Sequence, residues 1–510
     1  MNYLMGVDLG STSLKAIIYD LDGKLISSAS RPTQVHHDDQ DHPDWAVWLP
    51  EEIWGDTAAA IKEAVGKLDN PGDVKGLAVT GMGMDGVPMD SGGNWLYPFI
   101  SWHCPRTVPQ QEWWVENIGP EKQFGITGNP IWGINSALRI RWMQDNHPEI
   151  LEDTHKWLLI EDFLNFMLCG EMATDYTMAS NTLLFDQNTK DYSDLLLAEA
   201  GIGRSILADP KPSGTPLGTV HAAAADATGL PEGTPVVLGG HDFLCACLPV
   251  GAFKPGVVQD VVGTWEIVVA AIDEPVLTPD VLNMGWWVDS HVARGVTAAM
   301  GSAVAADMLE WFRNQFGQPE AQKAESDGGV DWDYLMAMAA ESDPGAGGVM
   351  FLPHFSGSTI PVPDANSRGV FVGLRNTTTR GDMLRAIIEG LNFQFLEILQ
   401  GVETALKVTP EKFVAVGGGA QNAFWMQNKA DMVGRPIETP DIEEATPLGA
   451  AILAGIGVGL YADEDDALAR TYRPGKVYEP NLALTKLYAE KFEIYKELYP
   501  SVKQVNHKLA

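Results

Sequence analysis

Basic residues are scarce in this sequence, in which 34 Lys and Arg stand against 68 Asp and Glu for a formal net charge of -34. A surface of that sign repels polyanions, so we expect neither nucleic acid nor an anionic membrane as a partner. Solubility, or adaptation to salt, accounts for the acidity without a binding role. With 45% hydrophobic and 20% charged residues, the composition is otherwise that of an ordinary globular protein.

Cysteines and long apolar runs are also few. The four cysteines form neither a disulfide framework nor a spaced metal pair, and Cys245 and Cys247 are expected to pack as small apolar residues of a buried helix. The longest run of small apolar residues, 448–461, is too short and too rich in glycine to span a bilayer. The first residues lack the basic start and apolar region of a signal peptide. These absences predict a reduced, cytoplasmic protein.

Several common catalytic motifs are missing: the sequence has no GxxxxGK[ST], HExxH or GxSxG and no paired-cysteine zinc pattern. One fingerprint, GxGxxG, does match at Gly81–Gly86. A dinucleotide site would need a helix next, because the pyrophosphate binds at that helix's N-terminus, whereas Val87 and Pro88 indicate a strand and turn. We therefore reject a nicotinamide site. Asp85 is interpreted as a hydrogen-bond acceptor for a polyol, or alternatively as an aspartate that caps a turn.

Strand patterns that end in glycine are the main feature that is present. A chain of 510 residues is too long for one core, and strand–turn–strand patterns at 4–20 and 256–271 indicate two α/β halves that begin alike. We predict domains at 1–250 and 251–480, with a helical tail at 481–510. Further strands are predicted at 77–80, 231–240 and 413–416, and helices at 136–146, 160–168, 379–399 and from about 421.

The first turn, Asp8–Lys15, is dense in hydrogen-bond donors. Gly10 would let the backbone approach a phosphate closely, the following hydroxyls and amides would bind it, and Asp8 could hold Mg²⁺ through water. The competing interpretation is an ordinary polar hairpin turn. Gly263–Thr264 occupies the same setting in the second half, which favours two turns that clamp one polyphosphate.

Two further glycine-rich strand ends carry candidate site residues. Asp242 follows an apolar strand and precedes a helical pattern, so it could take a proton from a hydroxyl or cap that helix. Gly417–Asn422 is a glycine turn between a predicted strand and a predicted helix. Such a turn could bind a flat nucleoside or phosphate against its bare backbone, or it could be only a tight turn. A phosphate anchor and a distant lone base suggest a kinase with its site between two domains. The isolated His103, His241 and His354 are expected to be hydrogen-bonded structural residues rather than metal ligands.

These motifs together resemble the FGGY carbohydrate kinases. The resemblance covers nearly the whole chain, and its most specific part is 369–389, which is similar to the family's C-terminal signature. An earlier signature near 136–142 has Arg139 where lysine is usual. Within the family the L-fuculose kinases are the most similar subgroup, but His103 stands where they have lysine, which leaves the substrate open.

The resemblance implies an α/β fold with two ribonuclease-H-like domains of the actin/hexokinase type and an interdomain active-site cleft. It implies transfer of the γ-phosphate of ATP to a hydroxyl of a ketose, with L-fuculose the leading candidate and rhamnulose, xylulose, ribulose or erythritol as alternatives. It also implies a homodimer. A hypothesis of another class is an actin-like or Hsp70-like nucleotide switch without a sugar substrate.

The resemblance further assigns roles to individual residues. Asp242 would be the general base and, with Asp8, a Mg²⁺ ligand. The sugar would be bound by Met84, Asp85, Trp102, His103 and Asp242. ATP would be bound by Asp8, Gly10, Ser11, Thr12, Lys15, Gly263, Thr264, Gly418, Gly419 and Asn422.

Overall fold

Two large β-sheets organise the protein, which we describe from a computed structural model of residues 1–37 and 41–509. The strands of the first sheet are β1 (Tyr3–Leu9), β2 (Ser13–Asp20), β3 (Leu25–Pro32), β4 (Val74–Gly81), β5 (Pro216–Thr219) and β6 (Pro235–His241). They lie in the order β5-β6-β4-β1-β2-β3. The central strands are apolar on both faces, as expected of a sheet that is covered on both sides.

The second sheet begins with the same hairpin as the first. Its strands are β7 (Val257–Val262), β8 (Trp265–Ile272), β9 (Trp287–Ser290), β10 (Thr297–Val304), β11 (Lys412–Val416), β12 (Ile437–Thr439) and β13 (Lys476–Tyr478). They lie in the order β9-β10-β8-β7-β11-β12-β13. The two sheets lie on either side of residue 250. The domain limits themselves stay a prediction.

The other elements cover and connect these sheets. The short strands pair as Val47–Trp48 with Phe99–Ile100, Gly86–Met89 with Lys156–Leu159, Ala173–Asp175 with Asp209–Lys211, Phe185–Asp186 with Asp191–Tyr192 and Met350–Leu352 with Val370–Val372. The helices before residue 250 are Pro50–Gly66, Val108–Asn117, Pro120–Thr127, Ser136–Asn146, Pro148–Asp153, Ile160–Cys169, Tyr176–Ser180, Asp194–Ala200, Ala222–Thr228 and Asp242–Cys245. The later helices are Pro279–Asn283, Ala306–Phe316, Gln318–Asp327, Asp331–Glu341, Arg380–Thr404, Ala423–Val433, Ala445–Gly457, Glu464–Thr471, Leu482–Tyr495 and Leu498–Leu509.

One hydrophobic core lies between the two sheets, around helix Ala445–Gly457. This core joins side chains of β1, β4 and β6 to side chains of β8, β10 and β11. A Cβ on Gly6 of β1 would lie 1.8 Å from the carbonyl oxygen of Pro447, so only glycine permits this approach. Cys245 and Cys247 are buried free thiols in the same core, as predicted.

The predicted elements agree well with the observed ones. Helices at 136–146 and 160–168 are found at Ser136–Asn146 and Ile160–Cys169, and the amphipathic helix at 379–399 is found at Arg380–Thr404. Gly86–Met89 is a strand and not a helix, which confirms that GxGxxG here is not a dinucleotide fingerprint. Within the described residues no helix is both long and apolar enough to cross a bilayer.

Candidate active site

Three parallel strands of the first sheet end side by side. Leu9 of β1 and His241 of β6 both pair with Gly81, the last residue of β4. Because the carboxyl ends of parallel strands share one edge of a sheet, the residues that follow them face a common crevice. Asp8, the loop with Asp85, and Asp242 therefore lie at one edge, although they are far apart in sequence.

Asp242 has one engaged and one open carboxylate oxygen. Its Oδ1 accepts hydrogen bonds from Nδ1 of His241 at 2.7 Å and from the backbone N–H of Phe243 at 2.6 Å. Its Oδ2 has no hydrogen-bond partner in the described part of the chain, and the side chain is 32% exposed. The helix that follows, Asp242–Cys245, is short. The arrangement leaves Oδ2 free to accept a proton.

Asp8 lies close to the same carboxylate. Burial and the neighbouring charge of Asp242 raise the pKa of Asp8 to about 8, with Lys15 lowering it and Glu444 raising it. Lys15 contacts both carboxylate oxygens of Glu444 at 2.8 Å. Two adjacent carboxylates that share a crevice resist ionising together, so a cation between them would be stabilised.

The turn after β1 presents free donors to the crevice edge. The backbone N–H of Gly10 donates to Ser13 O, and the Thr33 hydroxyl donates to Gly10 O at 2.6 Å, which fix the turn. The hydroxyls of Ser11 and Thr12 have no hydrogen-bond partner among residues 1–37 and 41–509. Such a turn can bind a phosphate with its hydroxyls and amides.

The turn between β7 and β8 holds Gly263 and Thr264. The carbonyl oxygens of both residues accept hydrogen bonds from the backbone N–H groups of Ala305 and Ala306, at the start of helix Ala306–Phe316. Thr264 is exposed. Gln259 of β7 donates to the carbonyl oxygen of Phe243 at 3.4 Å, which brings the second sheet next to the Asp242 segment.

A large cavity of about 700 Å³ opens on the second half. Its volume is within the range of small-molecule sites, which is about 300–1,000 Å³. It contains the predicted Gly418, Gly419 and Asn422, and sequence reasoning missed its apolar walls, which include Ala306, Leu309, Trp332, Met336, Phe424 and Trp425. Asn422 caps helix Ala423–Val433 through the N–H of Trp425.

Asp85 is fully buried and already engaged by the protein. Its Oδ2 accepts hydrogen bonds from the indole N–H of Trp48 at 2.8 Å and the backbone N–H of Trp102 at 3.1 Å. Its Oδ1 lies 3.2 Å from a guanidinium nitrogen of Arg139. Burial raises the pKa of Asp85 to about 6, although Arg139 and both donors oppose this. The contact with Trp102 joins the loop of Met84 and Asp85 to the loop of Trp102 and His103, which together carry the predicted sugar ligands.

Trp102 and His103, in the loop after strand Phe99–Ile100, stack on one another. The ring centroids of Trp102 and His103 are 3.8 Å apart with 28° between the ring planes, and burial, with a smaller effect of His37, lowers the pKa of His103. Met84 has a positive φ of 68°, a strained conformation typical of functional sites, and its carbonyl oxygen accepts a hydrogen bond from Ser136. Met84 lies in the same loop as Asp85, and Asp85 is hydrogen-bonded to the neighbouring loop that carries Trp102 and His103.

Two site residues were missed by sequence reasoning. Glu444 pairs with Lys15, and Arg139, noted above only as a departure from a family signature, pairs with Asp85. A charged residue in an apolar helical pattern was the available signal for Arg139. Nothing local marked Glu444, because its partner is 429 residues away.

Comparison with known proteins supports the resemblance. The family model for the N-terminal domain of the FGGY family of carbohydrate kinases matches residues 3–249, and that for the C-terminal domain matches residues 260–458. The chain is 31% identical over 480 residues to an L-fuculokinase from Escherichia coli strain K12, covering 94% of this chain and 97% of that protein. It is 29% identical to an autoinducer-2 kinase from Yersinia enterocolitica, covering 96% and 92% of the two chains.

A solved structure agrees over the whole chain. A xylulose kinase from Rhodospirillum rubrum superimposes with a TM-score of 0.89 at 28% identity, covering 99% of this chain and 100% of that one. The fold is thus the two-domain α/β fold of the actin/hexokinase type, and the nucleotide-switch hypothesis is wrong. The chain belongs to the FGGY family of carbohydrate kinases, whose members transfer phosphate from ATP to a small sugar.

Proposed function

We propose that this enzyme phosphorylates a hydroxyl of L-fuculose with ATP, using Asp242 as the general base. The observation that carries the chemistry is the open Oδ2 of Asp242 at the crevice edge, beside Asp8. The observation that favours L-fuculose is the 31% identity to an L-fuculokinase over 94% of the chain. Xylulose and autoinducer-2, the substrates named for the other relatives, are the alternatives.

The proposed reaction is an in-line phosphoryl transfer. The sugar oxygen forms a bond to the γ-phosphorus as the bond to the β–γ bridging oxygen breaks, and Oδ2 of Asp242 takes the hydroxyl proton. Positioning and charge neutralisation supply most of the catalysis in such reactions. Ser11, Thr12, Gly263 and Thr264 would bind the phosphates. Lys15 would also do so, which requires it to leave Glu444.

The cavity with Gly418, Gly419 and Asn422 is the proposed adenosine site. Gly418 has open space beside its α-carbon, which would allow a base or ribose to approach the backbone. The apolar walls suit the face of a purine ring. The sugar would lie against Met84, in the loop of Asp85, and against Trp102 and His103, in the loop that Asp85 holds through the Trp102 N–H.

The Asp8 and Asp242 carboxylates fit a Mg²⁺ ion, with Asp242 acting through a water molecule because its open Oδ2 is the proposed proton acceptor. No group of three or more His, Cys, Asp or Glu side chains in the described residues could hold a metal by itself. That pattern suits Mg²⁺, which usually takes one or two carboxylates and completes its shell with water and substrate phosphates. Burial and the neighbouring Asp242 raise the pKa of Asp8, and a bound cation would favour its ionised form against both effects. When bound, the ion would neutralise charge on the phosphates.

The test is an ADP-release assay with a panel of acceptors: L-fuculose, L-rhamnulose, D-xylulose, L-xylulose, D-ribulose, erythritol and autoinducer-2. We expect L-fuculose to give the highest kcat/KM and no acceptor-independent ADP release of comparable rate. A higher kcat/KM for another acceptor would reassign the substrate. Equal ADP release with and without any acceptor would overturn the proposal.

Three accompanying expectations stay predictions. They are a homodimer, a cytoplasmic location, and domains divided near residue 250. Light scattering after size exclusion measures the oligomeric state.

A further inference from the structure

His241 contacts the side chain of Asp242, the proposed base. Its Nδ1 is 2.7 Å from Oδ1 of Asp242, and its side chain is only 5% exposed. An ionised carboxylate can only accept hydrogen bonds, so Nδ1 must carry the hydrogen in this contact. His241 is therefore bound to Asp242 as a donor.

The contact fixes which oxygen of Asp242 is available. Oδ1 receives two donors, the imidazole Nδ1–H and the backbone N–H of Phe243. With Oδ1 held on both sides, the carboxylate plane is set and Oδ2 faces the crevice. A free aspartate could rotate about χ2, and a base that rotates is correctly placed for only part of the time.

His241 is itself held from several directions. Its backbone N–H donates to the Thr177 hydroxyl at 2.8 Å, which in turn donates to Asp175 at 2.5 Å. Its ring centroid lies 4.0 Å from that of Phe243. On the other side, a Cβ on Gly83 would come within 2.6 Å of Nε2. The imidazole thus lies between Gly83 and Asp242 and has little freedom to turn.

We propose that His241 is a positioning residue that orients the Asp242 carboxylate for proton transfer through the Nδ1–H bond to Oδ1. This inference rests on the proposed role of Asp242. The proposal differs from the expectation of a structural histidine, because it predicts that turnover depends on Nδ1 of His241 being the donor to Asp242. A side chain at position 83 would displace the ring, and the backbone there has a positive φ of 57°, so both features favour glycine.

The test compares three substitutions of His241. In His241→Asn the amide nitrogen takes about the place of Nδ1 and can still donate to Asp242, whereas in His241→Gln it takes about the place of Nε2. We expect His241→Ala and His241→Gln to lower kcat by about 10- to 100-fold, the size expected for losing one hydrogen bond to a charged group. His241→Asn should recover most of that loss. The KM values for ATP and sugar should change little in all three.

The control is His354→Asn, which replaces another buried histidine, one that contacts Ser367 in the second half. It should leave kcat unchanged even if it lowers the melting temperature. A kcat for His241→Ala within about threefold of wild type would overturn the proposal, as that corresponds to less than 1 kcal/mol. So would a His241→Asn variant as slow as His241→Ala.

A spectroscopic measurement separates this inference from the proposed function. Imidazole ¹⁵N NMR, assigned with His241→Asn, should show His241 protonated at Nδ1 in the wild type. The opposite tautomer would overturn the positioning role, whatever the acceptor proves to be. If no acceptor in the panel is phosphorylated, or Asp242→Asn keeps a normal kcat, the proposed function fails while the spectrum still reports on the His241–Asp242 bond.

Discussion

At the scale of single residues, one carboxylate oxygen has the central role. Asp242→Asn keeps an oxygen that can accept from His241 and Phe243, so we expect the variant to fold and bind ATP normally. It removes the proton acceptor, and kcat should fall by about 10²- to 10⁴-fold, as for other general bases. The measurement is kcat with the best acceptor, next to the melting temperature and ATP affinity.

The matched control is Asp226→Asn, an exposed aspartate in helix Ala222–Thr228. It should behave as wild type in all three measurements. A near-normal kcat for Asp242→Asn would show that another group takes the proton.

Glu397 offers a pH test that does not involve the active site. It lies on helix Arg380–Thr404, and burial raises its pKa from 4.5 to about 8, with Lys496 opposing this. A raised carboxyl pKa favours the neutral form of Glu397. Its contribution to the free energy of unfolding is therefore fully present below pH 4.5 and is lost as the pH rises toward 8. Glu397→Gln, which stays neutral, should therefore raise the melting temperature more at pH 8 than at pH 5.

The measurement is the melting temperature of the wild type and of Glu397→Gln at pH 5, 6, 7 and 8. Glu490→Gln, an exposed position on helix Leu482–Tyr495, is the control and should show no such trend. A pH-independent effect of Glu397→Gln would mean that Glu397 ionises normally in the folded state.

At the scale of elements, the glycine turn after β11 allows a paired test of the nucleotide cavity. A Cβ on Gly418 meets nothing within 4 Å, whereas one on Gly419 would lie 2.4 Å from Cγ1 of Val262. Gly418→Ala should therefore raise the KM for ATP several-fold and leave the melting temperature unchanged. Gly419→Ala should lower the melting temperature, because the clash is inside the core of the second sheet.

Kinetics and thermal unfolding of the two variants, measured side by side, provide the comparison. An unchanged KM for ATP in Gly418→Ala would place the nucleotide elsewhere. Unchanged unfolding of Gly419→Ala would mean that Val262 can move away without cost.

At the scale of the whole molecule, the net charge of -34 implies strong self-repulsion. The Debye length falls from about 10 Å at 0.1 M salt to about 3 Å at 1 M, so added salt should relieve that repulsion and stabilise the compact state. We expect the melting temperature to rise with NaCl, most steeply below 0.3 M. KCl should have the same effect if screening is the cause. A melting temperature that is constant or falls over this range would contradict this interpretation.

The sequence predicted local features well, because they depend on patterns along a short stretch of chain. The hairpins around 10–12 and 263–264 follow from alternating apolar residues interrupted by glycine. The helix Arg380–Thr404 begins where expected because Thr379 and Asp382 form a capping box. The residues at strand ends were found for the same reason, since each follows an apolar run that ends in glycine.

Contacts between distant segments were not predictable in this way. The pairing of Lys15 with Glu444 and of Asp85 with Arg139, and the placement of helix Ala445–Gly457 between the sheets, depend on how separate elements pack. A run of small apolar residues fits a buried helix in many folds, and its sequence does not indicate which elements it packs against.

By itself the sequence determined the family, the two hairpin turns and the candidate base, because glycine, hydrophobic period and a carboxylate at a strand end are local signals. Only the tertiary structure decided which oxygen of Asp242 is open and that Asp85 is buried under its loop. The physical reason is that the hydrogen-bond partners and exposure of a side chain depend on how segments distant in the sequence pack together. No local sequence pattern specifies that packing.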